Sequence, residues 1–92
     1  MKKYLVNQDM FGWNDIDGDF LIYSTYTEQY HVLNDTGKTI FETIVNSIEP
    51  LNVKDIAEKL AEVYENENKA DVESDIQTFL NQLCHFDILK EV

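Results

Sequence analysis

Ninety-two residues, 43% hydrophobic and with eleven aromatics, suffice for one folded domain spanning 1–92 and leave no room for a second. Eighteen acidic against seven basic side chains give a formal net charge of −11, which argues against a nucleic-acid binder and favours an electropositive partner. Cys84 is the only cysteine, so neither an intrachain disulfide nor a thiolate metal cluster can form, and no apolar run matches a signal peptide or a membrane span. A soluble cytoplasmic protein is expected.

The first third reads as strands. Asp9 to Asn14 is a weak one carrying Phe11 and Trp13 on one face, while Phe20–Ser24 and Gln29–Leu33 are stronger. Asp17-Gly18 is the better hairpin signal, and Thr25 to Glu28 supplies the second turn. A three-stranded antiparallel meander follows, with its third strand at an edge.

From Asn34 the period changes from 2 to 3.6. Asp35 or Thr36 would cap a first helix whose apolar stripe is Ile40, Phe41, Ile44, Val45 and Ile48, ending before Pro50. Asn52, with Asp55 three residues on, caps a second helix with the stripe Val53, Ile56, Ala57, Leu60, Ala61 and Tyr64. The polar run Glu65 to Lys69 is expected as a loop. Asn68 or Asp71 then caps a third helix, in which Val72, Ile76, Phe79, Leu80 and Leu83 share a face, and Phe86, Ile88, Leu89 and Val92 form a packed tail. The fold class is α+β and winged-helix-like, an N-terminal three-stranded antiparallel sheet followed by three helices.

Catalytic and cofactor signatures are missing. The glycines at 12, 18 and 37 are too far apart for a phosphate loop. Cys84 and His85 are helix neighbours pointing about 100° apart, which suits neither a shared metal nor a nucleophile–base pair, and Cys84 reads as a small buried hydrophobe. Asp15, Asp17 and Asp19 echo a calcium loop, but Tyr26 stands where an EF-hand needs glutamate, so the segment reads as a solvated turn. No cofactor or metal is expected, and a binding module is favoured over an enzyme.

The binding surface expected from the residues is the third strand. Gln29 to Leu33 holds no Pro, no Lys and no full charge, which leaves a template for an added strand unless another part of the chain covers it. Tyr30 and Val32 point one way, His31 and Leu33 the other, and alternation alone does not say which pair faces the core.

The strand Gln29-Tyr30-His31-Val32-Leu33, the corner Asn34-Asp35-Thr36-Gly37 and the later Val53-Lys54-Asp55-Ile56-Ala57-Glu58-Lys59-Leu60 resemble, in order and spacing, the PqqD family and the related recognition elements of ribosomal peptide biosynthesis. The resemblance runs from about Phe11 to Leu89. It implies a non-catalytic peptide chaperone that binds the leader of a precursor peptide by strand addition to the third strand, in a groove against the third helix. Carried onto this sequence, the peptide-binding residues would be Gln29, Tyr30, His31, Val32 and Leu33, with Val72, Asp75, Ile76 and Phe79 as the opposite wall. The implied partners are the precursor leader and a separate modifying enzyme, either a radical maturase or a lasso-type protease or cyclase, served in trans by a monomer or dimer. Asp75 beside the groove suggests a basic residue in the guest.

Two other readings compete. A winged-helix DNA binder would need a basic recognition helix, yet the third helix from Asp71 to His85 holds three acids and no Lys or Arg. An acidic adaptor binding a basic protein through surface charge is the main alternative, and its affinity would be screened by salt.

Overall fold

Local chemistry sets the corners of the chain. In the computed structural model, which describes residues 2–61 and 68–92, Asp17 and Gly18 take φ of 51° and 89°, the left-handed pair that closes a two-residue hairpin without splaying its strands. That hairpin joins β2 (Phe11–Ile16) to β3 (Asp19–Ser24), and a second turn through Glu28 leads to β4 (Tyr30–Leu33). The antiparallel order is β2-β3-β4, as the sequence indicated. Two strands were not foreseen: β1 (Tyr4–Val6) pairs with the C-terminal β5 (Leu89–Glu91) as a separate ribbon.

Three helices follow the meander, α1 (Asp35–Val45), α2 (Val53–Lys59) and α3 (Lys69–His85). Asn34, and neither Asp35 nor Thr36, caps α1: its side-chain oxygen accepts the Gly37 N–H at 2.8 Å. α1 stops at Val45, so Ile48, expected on its stripe, lies beyond the helix and is fully exposed. Asn52 and Asp55 form the expected reciprocal capping box of α2. Ala61 is exposed beyond the end of α2, while Tyr64 and most of the expected loop, residues 65–67, lie outside the described residues. Asn68 caps α3, which therefore begins two residues earlier than Asp71 and takes in Lys69, a cation that the sequence reading left in the loop.

The core lies between the inner face of the meander and the three helices. Phe11, Phe20 and Ile22 from the sheet meet Ile40, Phe41 and Ile44 of α1, Ile56 and Leu60 of the α2 region, and Val72, Ile76, Leu80 and Leu83 of α3. Trp13 stands edge-on to Phe41 at 5.2 Å, and Phe20 is tilted against the same ring at 5.6 Å. Burying eighteen apolar side chains in one cluster supplies the main driving force, at about 25 cal/mol per Å² removed from water. Of the expected packed tail, Ile88 and Leu89 are buried, whereas Phe86 and Val92 are largely exposed. Among the described residues no helix is long and apolar enough to cross a membrane.

Candidate functional site: the β4 edge and the α3 groove

Register resolves which face of β4 looks inward. His31 pairs with Ile22 and Leu33 with Phe20, both buried, so His31 and Leu33 lie on the core side. Tyr30 and Val32 point away from the helices and are 67% and 56% exposed.

The same register sorts the backbone groups. Ser24 N–H donates to the Gln29 carbonyl at 2.8 Å, which makes Ser24–Gln29 a hydrogen-bonded pair. In an antiparallel ladder such pairs alternate, so Gln29, His31 and Leu33 turn their N–H and C=O toward β3, while Tyr30 and Val32 turn theirs outward. Among the described residues β4 pairs with β3 alone. Its outer edge therefore offers two donors and two acceptors. The next carbonyl along, that of Asn34, is already taken by the Lys38 N–H at 2.8 Å.

Helix α3 runs beside this edge in the opposite direction. Phe86, at its C-terminal end, stacks on His31 with centroids 4.4 Å apart, and toward its N-terminal half Asp75 and Phe79 share a groove of about 330 Å³ with Asn34, Thr36, Gly37 and Ile40. A Cβ on Gly37 would stand 3.1 Å from the Phe79 ring, so a bare residue in the first turn of α1 lets that ring lie against the helix. The groove is apolar at its base through Ile40 and Phe79 and acidic at its rim through the exposed Asp75.

The sequence-predicted site residues divide accordingly. Tyr30, His31, Val32 and Leu33 form β4, Gln29 precedes it, and Asp75 and Phe79 line the groove. Val72 and Ile76, expected in the same wall, are instead buried in the core, because they lie on the side of α3 that packs against α2 and the sheet. Phe86 was expected in the packed tail, but at 47% exposure it stands against His31 of β4. The spacing Asp75, Phe79, Gln82, Phe86, at intervals of 4, 3 and 4, marks one helical face and could have identified it.

Charges around the site are solvated. Lys38 bonds both carboxylate oxygens of Asp15 at 3.0–3.1 Å, and this partner raises its pKa. Behind the groove, burial followed by the nearby Glu91 pushes the Cys84 thiol up. The neighbouring His85 ring stands edge-on to Phe86. Among the described residues no group of three or more His, Cys, Asp or Glu side chains is disposed to hold a metal. What the site can do chemically is add a strand to β4 and seat alternate side chains of that strand between β4 and α3.

Comparison with known proteins agrees with this architecture. The family described as coenzyme PQQ synthesis protein D (PqqD) matches residues 20–88, three quarters of the chain. A solved structure of TbiB1 in complex with the TbiA(beta) leader peptide is similar in fold, with a TM-score of 0.78 at 20% identity over 94% of each chain. No curated protein matches the chain significantly.

Proposed function

The chain belongs to the PqqD family, and on that premise we propose that it is a non-catalytic, single-domain peptide-binding chaperone. It captures the leader of a ribosomally made precursor by strand addition to β4 and presents it to a separate modifying enzyme or protease. The observation that carries this reading is the outer edge of β4, which pairs with no other strand among the described residues: Tyr30 and Val32 turn their backbone groups outward there, with Phe86 against His31 and a groove lined by Asp75 and Phe79 at the Asn34 end. A guest strand bonded there would direct alternate side chains into the groove, so main-chain bonds supply adhesion and the groove supplies selectivity. TbiB1, whose fold is similar, is itself seen with a leader peptide.

A binder's role suits the surrounding chemistry. The half-buried Cys84 thiol, its pKa pushed up chiefly by desolvation, is a poor nucleophile, and the His85 ring rests against Phe86. Asp75 at the rim suits a Lys or Arg in the guest.

The test is an amide chemical-shift titration of the labelled protein with the leader peptide encoded beside its gene, at two salt concentrations. Shifts centred on residues 29–34 and on the 75–86 face, persisting at high salt, are expected. Shifts scattered over the acidic surface and abolished by salt would instead favour an adaptor held by surface charge.

A further inference from the structure

An antiparallel sheet with one wet face ordinarily carries polar side chains there. The outer face of β3 and β4 departs from that pattern. Its outward positions form two cross-strand rows, Gly12–Tyr23–Tyr30 and Asn14–Leu21–Val32, with Ile16 and Asp19 at the hairpin end. Tyr23, Tyr30, Val32 and Ile16 are all large apolar side chains left exposed.

Two further observations bear on what this face meets. A Cβ on Gly12 would lie 2.4 Å from the Tyr23 ring, so a bare residue in mid-strand lets the aromatic ring lie across β2 on the solvent side. Glycine weakens a strand interior, and here it makes a seat for an outward-facing ring. The surrounding charge, moreover, has one sign. No Lys or Arg occurs between residues 4 and 37, and the exposed Asp17, Asp19 and Glu28 border the face. A second copy would bring its own acidic border against this one. The complementary surface is apolar with a basic border.

We propose that the outer face of the sheet, centred on Tyr23, Tyr30 and Val32, is the docking surface for a protein whose contact patch is apolar and rimmed by Lys or Arg. Resting on the function proposed above, that protein is the enzyme that acts on the captured precursor. A strand added to β4 places its other alternate side chains on this same face beside Tyr30 and Val32. The docking surface thus becomes one strand wider when the guest is bound, and the enzyme meets the loaded protein over more area than the empty one.

The experiment uses the purified modifying enzyme and the leader peptide encoded beside this chain's gene, with affinities measured for the wild type, Tyr23→Ser, Gly12→Ala and Asp19→Lys. Tyr23→Ser should weaken enzyme binding by about tenfold or more while leader affinity stays within about twofold. Asp19→Lys should weaken it less, by an amount that disappears at high salt. Gly12→Ala keeps Tyr23 but displaces its ring, and should reproduce part of the loss, so the result does not depend on the folding of one variant. Unchanged enzyme affinity in folded Tyr23→Ser and Asp19→Lys overturns the proposal. So does a concentration-dependent dimer in sedimentation that Tyr23→Ser abolishes, which would assign the face to a second copy. If the wild type binds enzyme but no leader, the capture function fails and the docking surface stands. If leader binds and Tyr23→Ser leaves the enzyme attached, the docking surface fails alone.

Discussion

β1 and β4 are both short strands rich in apolar side chains, yet their edges are treated oppositely. β1 is paired with β5 on one side, and on the other Tyr4 exchanges two backbone bonds with Leu51, at 2.8 and 3.3 Å. The Tyr4 ring is fully buried and its hydroxyl accepts a bond from the Gln77 side chain at 2.9 Å. Among the described residues β4 has a partner strand on one side alone, and the groove shared by Asn34, Asp75 and Phe79 lies at its C-terminal end. Composition does not separate the two strands. What separates them is whether distant chain returns to close the second edge, as the Leu51 segment does for β1.

The largest effect should come from opening the closed side. Tyr4→Ala removes a fully buried ring together with its bond from Gln77, and should cost about 3–5 kcal/mol in urea unfolding. A loss under about 1 kcal/mol would mean that the β1–β5 ribbon is an accessory to the core.

Proline substitution sharpens the contrast within β4 itself. His31→Pro removes an N–H directed at β3 and should cost about 3 kcal/mol of stability. Val32→Pro removes one directed outward, so stability should fall by less than about 1 kcal/mol while leader affinity drops about tenfold or more. Equal destabilisation by the two, read from paired denaturation curves, would contradict the assigned register.

Gly37→Ala probes the groove from beneath. Helix propensity favours alanine by up to about 1 kcal/mol, but the new Cβ presses on Phe79, so net stability should shift little while leader affinity falls about threefold. Calorimetry of stability and binding on the same variant separates the two effects. The smallest change is expected from Asp75→Lys, an exposed rim charge: a reduction in leader affinity of less than about fivefold at low salt that is lost at high salt.

Much of this was written in local chemistry. The Asp17-Gly18 hairpin and the Asn52–Asp55 box are decided by a few adjacent residues, and the sequence predicts both as they occur. Asn34, Asp35 and Thr36 are three consecutive capping residues, and only the backbone path out of β4 selects the first. Ile48 extends the spacing of Ile40 and Ile44, but the helix ends at Val45, ahead of the turn in which Ser47 Oγ donates to the Glu49 carbonyl, and the side chain is left in water. β1 is three residues long, and its partner lies some 85 positions away, so nothing local announces it. At the site, alternation told which residues of β4 share a face but not which face is wet. In the same way the apolar stripe of α3 merged core positions Val72 and Ile76 with groove position Phe79.

The two outward-facing residues of β4 also limit how firmly a backbone alone could be held. Four main-chain bonds at about 1 kcal/mol each amount to about 4 kcal/mol, a dissociation constant near 1 mM. A passing segment of unrelated sequence would leave almost at once, and lasting residence depends on side chains that fit. A ligand held mainly by its fit can also be let go. A guest whose side chains seat poorly leaves on its own, so selection of this kind asks for no moving part in the protein and no external energy source.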